Sequence, residues 1–153
     1  PGSLGERLHD AFAWSFADET ERAVVVMSES PTMPDGALTA AFTDLREADM
    51  VLGPTRSGRP YLIGLRAANW PKAAPLLRAV EWGTPSCVRS AIERANAEGL
   101  VLRVLPGWYG IEDPEDLARA REDARPESHL ARWLASDTGR RYVAPAPGGP
   151  DRR

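Results

Sequence analysis

Four short apolar runs, residues 23–27, 50–52, 61–65 and 100–105, alternate with stretches of helical periodicity, and this alternation constrains the fold more than any other feature. Runs of this length match strands, and a β-branched run without polar alternation, such as Ala23-Val24-Val25-Val26-Met27, suits a strand covered on both faces. The first run therefore predicts a central strand of parallel type. Leu4, Leu8, Ala11, Phe12 and Phe16 recur at helical spacing and predict an amphipathic helix over 4–17. Leu38, Ala41, Phe42 and Leu45 mark a second helix, residues 72–80 a third, and Thr84-Pro85 supplies a cap and first-turn proline to a fourth, which ends at Gly99. Asp113-Pro114-Glu115-Asp116 opens a fifth helix with a cap and two acids at its positive end, and residues 127–136 make a sixth. Strands alternating with helices predict an α/β layered fold with ligands in the loops at strand ends, here 28–34, 54–60 and 106–113.

Composition narrows the function. The chain has 153 residues, 42% hydrophobic and 27% charged, which predicts one globular domain over 1–137 followed by a flexible Pro/Gly/Arg tail over 138–153. No apolar run approaches the roughly 20 residues that span a bilayer, and no charged-then-apolar leader opens the sequence. A net charge of −3 argues against general DNA or RNA binding, because no excess positive field releases counterions. The single cysteine, Cys87, suits a cytoplasmic protein. Pro1 stands where a methionine would open a reading frame, so the sequence reads as part of a longer protein.

Generic nucleotide, hydrolase and zinc motifs do not occur. His9 and His129 lack metal-ligand neighbours, and Cys87 falls on the apolar side of a helix, so all three read as structural. Glu29 follows a buried strand where carboxylates that hold a divalent metal over a diphosphate often sit, although a solvated loop acid would look the same. Asp113 and Asp116 are explained by capping, whereas Glu112 lies before the cap. Arg56 and Arg59 bracket Ser57-Gly58 and could hold a phosphate with planar donors, or form a solvated basic loop. Trp82, Trp108 and Tyr109 adjoin loops and could stack on a base, or plug the core.

Four stretches in order carry a resemblance: Leu4-Gly5-Glu6-Arg7-Leu8; Ser28-Glu29-Ser30-Pro31-Thr32-Met33-Pro34; Gly53-Pro54 followed by Tyr61-Leu62-Ile63-Gly64-Leu65-Arg66; and Trp82-Gly83-Thr84-Pro85 through Tyr109-Gly110-Ile111-Glu112-Asp113-Pro114-Glu115-Asp116. Over residues 4–121 the chain resembles the small bacterial glycosyltransferase-like family also called radical-SAM/selenodomain-associated transferase 1. That resemblance implies a three-layer GT-A-type nucleotide-diphospho-sugar transferase fold, with a mostly parallel sheet and helices on both faces. It also implies a nucleotide-sugar donor, an unknown acceptor and a divalent Mg²⁺ or Mn²⁺ ion.

The family reads G-S-D-x-P at Met27-Ser28-Glu29-Ser30-Pro31, so Glu29 takes the metal-binding position with a longer reach. It reads E-D-G-G-Y-Y-L-I-G where this chain has Arg56-Ser57-Gly58-Arg59-Pro60-Tyr61-Leu62-Ile63-Gly64, which inverts the local charge, and Y-D-V-D-T-P-E-D where this chain has Tyr109-Gly110-Ile111-Glu112-Asp113-Pro114-Glu115-Asp116, with Gly110 and Glu112 in place of the two aspartates. The resemblance thus places the metal on Glu29 and Glu112 and the donor on Arg56, Ser57, Arg59 and Tyr61, with the arginines taking over part of the phosphate neutralisation. Related proteins also carry an N-terminal strand and a basic phosphate loop ahead of the L-G-E-R-L segment, absent from these residues. Two alternatives follow: a non-catalytic binding module of the same fold, and a nucleotidyltransferase related to cofactor-biosynthesis guanylyltransferases.

Overall fold

The structure, a computed structural model, describes residues 2–143 and divides after Gly110 into two compact units. The first unit holds helix α1 (Leu4–Ala17), strand β1 (Arg22–Val26), α2 (Ala37–Asp44), β2 (Met50–Pro54), β3 (Pro60–Arg66), α3 (Trp70–Ala79), α4 (Cys87–Ala97) and β4 (Leu102–Val104). The second holds α5 (Pro114–Asp123), α6 (His129–Ala135) and α7 (Asp137–Val143). A single domain to residue 137 is the expectation from sequence, and the contacts within it group into these two units. Residues 138–143, expected in the tail, are helical; the remainder of that tail, 144–153, lies outside the described residues.

The strands form one sheet in the order β1-β3-β2-β4. The α/β class is as expected, and β1, β2 and β4 run in one direction with β2 and β4 paired in parallel, while β3 runs antiparallel to both β1 and β2. The cause is chain length. Five residues, 55–59, join β2 to β3, and a parallel return needs a crossover of a dozen or more. Among the described residues β1 pairs with β3 alone, at one end of the four-stranded order.

Helices cover both faces of this sheet, as the three-layer expectation required. Met50, Leu52, Ile63 and Leu65 point to the side of α1, α3 and α4, where they join Phe12, Leu77, Trp82 and Ala91 in the larger core cluster. Val51 and Leu62 face α2 and pack with Ala41 and Leu45. Each fully buried Leu, Ile or Phe contributes about 1.5–3 kcal/mol relative to exposure. Ser3 caps α1 in a reciprocal capping box with Glu6, which satisfies two backbone donors at the helix start. Gly5 permits the closest contact of α1 with α3: a Cβ there would stand 2.4 Å from the Leu77 carbonyl oxygen, which also accepts the Trp82 indole N–H at 2.7 Å. Trp82 is thereby a core plug.

Helix α4 begins at Cys87 with Ser86 at its N-cap, two residues later than Thr84-Pro85 suggested, because Thr84 spends its hydroxyl on the Glu81 carbonyl. Asp113 caps α5 as expected, accepting the N–H groups of Glu115 and Asp116 at 2.8 Å each. In the second unit, Gly139 allows α7 to start against the end of α6, since a Cβ would fall on the Trp133 carbonyl. Among the described residues no helix is long and apolar enough to cross a membrane.

Burial raises the Cys87 thiol above its ordinary pKa, against smaller opposing effects of backbone N–H groups and the Arg59 charge, and it raises Tyr61 likewise. Both groups stabilise the fold while protonated. Their contribution is complete below the ordinary thiol and phenol range and is lost as pH rises through the raised values. Melting temperature is therefore expected to fall progressively above about pH 9, with a shallower fall in Cys87→Ala followed by differential scanning fluorimetry.

Candidate functional site

Because β1 and β2 both oppose β3, and β4 runs with β2, the C-terminal ends of β1, β2 and β4 open on one side of the sheet. Three connections collect there: residues 27–36 after β1, 55–59 between β2 and β3, and 105–110 after β4. Hydrogen bonds join them. Trp108 N–H donates to the Pro54 carbonyl at 3.0 Å and the Arg56 N–H donates to the Trp108 carbonyl at 3.1 Å, continuing the β2/β4 ladder beyond the strands. The buried Ser30 hydroxyl donates to the Tyr109 carbonyl at 2.8 Å, Thr32 donates to the Tyr109 phenol oxygen at 2.9 Å, and the Trp108 indole N–H donates to Thr32 at 3.3 Å. These contacts fix the loop after β1 against the loop after β4.

Glu29 is exposed within this cluster and packs against Gly110: a Cβ at residue 110 would lie 3.6 Å from the Glu29 Cβ, an ordinary contact. The backbone at 110 thus leaves room for a side chain beside Glu29, and the sequence supplies none.

The 55–59 turn is tightly built. Thr55 receives the turn back through N–H and hydroxyl donation to the Arg59 carbonyl, at 2.6 and 2.8 Å, and its hydroxyl also lies 2.9 Å from that of Ser57. Gly58 adopts φ of 82° and approaches Pro85 so closely that a Cβ would sit 1.8 Å from the Pro85 carbonyl oxygen. Its own carbonyl accepts from the Val88 N–H and the Cys87 thiol at the start of α4. The turn carrying Arg56 and Arg59 is consequently anchored at both its ends and its tip. Arg56 is exposed and Arg59 half-buried.

Tyr61 is buried. Its ring lies on Gly53, whose Cβ would fall 2.5 Å from it, and its hydroxyl donates to the Pro106 carbonyl at 3.1 Å. A register shift between Gly53 and Pro54 places the ring in the α2-side cluster with Leu62. Through its hydroxyl bond to Pro106, Tyr61 ties β3 to the loop after β4. Glu112 belongs to the second unit, where its N–H donates to the Asp116 carboxylate at 3.1 Å, and Glu29 belongs to the first. Among the described residues no group of three His, Cys, Asp or Glu side chains could hold a metal ion.

Ser30 and Thr32, which join the loops, were not singled out in the sequence. Their signal was available in retrospect: hydroxyls flanking Pro31 directly after an apolar strand have local backbone and loop partners to satisfy.

A family profile described as "Uncharacterized protein conserved in bacteria (DUF2064)" matches residues 1–84, more than half of the 153-residue chain. The chain belongs to this family. The part of this DUF2064 member that matches includes Glu29 and the Arg56–Arg59 turn. Among solved structures it is similar to a "putative nucleotide-diphospho-sugar transferase" from Desulfovibrio desulfuricans G20, with 26% identity, a TM-score of 0.74, and coverage of 92% of this chain and 58% of that one. The DUF2064 chain spans less than two thirds of that protein's length. No curated protein matches it.

Proposed function

We propose that this chain forms part of a nucleotide-diphospho-sugar transferase and binds the donor's diphosphate at the strand-end loops. The observation that carries the reading is the joining of Glu29, Gly110 and the Arg56–Arg59 turn into one hydrogen-bonded cluster at the ends of three co-directional strands. The likeness to the Desulfovibrio protein supports it, since that protein's name specifies a transferase of this kind.

Transfer of a sugar breaks the bond between the anomeric carbon and the diphosphate oxygen, and negative charge grows on the leaving diphosphate. Arg56 and Arg59, on a turn held rigid by Gly58, would meet that charge with planar paired donors at little reorganisation cost. Glu29, exposed in the loop after β1, is suited to accept hydrogen bonds from the sugar or ribose hydroxyls. Trp108, half-buried beside the turn, offers an aromatic surface for the base or sugar.

One observation favours a second reading, a binding module without catalysis: Gly110 leaves Glu29 without the neighbouring carboxylate for which the backbone has space. The two separate in a single assay. The protein is incubated with uridine, guanosine, adenosine and thymidine diphosphate sugars, with Mn²⁺ or with a chelator, while bound nucleotide is measured by calorimetry and released nucleoside diphosphate by chromatography. A transferase gives both binding and release once an acceptor is present; the binding module gives binding alone. Release of pyrophosphate from a nucleoside triphosphate would replace both with a nucleotidyltransferase.

A further inference from the structure

The opposite end of the sheet, away from the strand-end loops, gathers a second set of arginines. Arg22 opens β1 and Arg66 closes β3, and the strand register sets them directly opposite one another. Arg46, just after α2, joins them around a cavity of about 470 Å³ that Glu21 also borders. Like charges directly opposite on paired strands destabilise a sheet. Here the repulsion is not relieved internally: among the described residues, no carboxylate forms an ion pair with Arg22, Arg46 or Arg66. Among the described residues, the Arg22 guanidinium donates to the Phe42 carbonyl at 3.4 Å. Arg22 and Arg46 also line an adjoining cleft of about 480 Å³ with Leu38 and Phe42, which are 39% and 41% exposed.

We propose that this cavity binds an oxyanion, a phosphate or carboxylate group held by Arg22, Arg46 and Arg66, on a small ligand whose apolar part lies along Leu38 and Phe42. Guanidinium groups match planar and tetrahedral oxyanions with paired donors. Three guanidiniums against one carboxylate leave the cavity net positive, and its volume falls in the range of small-molecule sites. An anion there removes the cost of the Arg22 and Arg66 apposition, so the site links ligand binding to stability.

The test is a set of thermal melts and calorimetric titrations of the whole chain with inorganic phosphate, pyrophosphate and citrate, against sodium chloride at matched ionic strength. The oxyanions are expected to raise the melting temperature saturably where chloride does not, and preference between phosphate and citrate names the group. Arg46→Ala, at an exposed position just after α2, and Arg66→Ala should each weaken the response about tenfold or more. Arg22→Ala should melt at or above the unsubstituted protein in low salt without anion, and lose the response. An equal response in all three variants would reveal a general salt effect and overturn the proposal. So would the absence of saturation, or loss of the response in Arg56→Ala in place of Arg66→Ala, which would move the anion to the strand-end loops.

Discussion

Gly58→Ala is expected to destabilise the protein by about 3 kcal/mol, the sum of a left-handed backbone imposed on a residue with a Cβ and a collision that only backbone movement can relieve. At φ of 82° alanine is strained whatever the space, and its Cβ would stand 1.8 Å from the Pro85 carbonyl oxygen. Relief requires moving either the 55–59 turn or the entry to α4, and both are tied together through the Gly58 carbonyl. A chain of this size should lose about 6–12 °C of melting temperature. Gly83→Ala is the control, because nothing lies within 4 Å of a Cβ there. Denaturant unfolding that places Gly58→Ala within about 0.5 kcal/mol of the unsubstituted protein would contradict the described turn.

The double substitution Arg56→Ala with Arg59→Ala is expected to weaken nucleoside diphosphate binding about 30–100-fold. A hydrogen bond to a charged group contributes about 1.5–3 kcal/mol, and partial exposure of the turn screens the pair to about 2–2.7 kcal/mol, below the full two-bond sum. Arg56→Lys should retain part of the affinity, since it keeps the charge and loses the planar fork. Affinity should also fall as salt rises. The melting temperature of Arg56→Ala should stay near that of the unsubstituted protein, because its guanidinium is exposed while its backbone N–H makes the bond to Trp108. Calorimetry showing affinity within twofold for the double variant would remove the arginines from the site.

Much of the fold is legible in the sequence because burial leaves a period. Leu4, Leu8, Phe12 and Phe16 set out α1 to the residue, and Asp113-Pro114 marks the start of α5, since caps act locally. Direction is not local. The Ala23–Val26 stretch is equally compatible with a central parallel strand and with an antiparallel edge, and only the brevity of the 55–59 connection argues for reversal between β2 and β3. The C-terminal helix α7 was hidden for another reason: its Arg-rich segment has little apolar content, and it gains its place through the close approach at Gly139.

Within the site, residue types were readable and roles were not. Arg56, Ser57 and Glu29 come together in the strand-end cluster, whereas Tyr61 turns inward because a bulge at Gly53 and Pro54 shifts its register. The separation of Glu112 into the second unit follows from the break after Gly110, which continuous helix-start signals around Asp113 obscured. The apposition of Arg22 and Arg66 depends on pairing residues 44 positions apart, which no local pattern encodes.

The central claim is that the strand-end loops receive the donor's diphosphate, and amide chemical-shift mapping tests it most directly. On titration with a nucleoside diphosphate sugar, the amides of residues 28–32, 55–59 and 108–110 should shift saturably and together, with the Arg56 and Gly110 signals among the largest. Saturable shifts confined to other residues, or none in these three segments with any of the four nucleotides, would contradict the account.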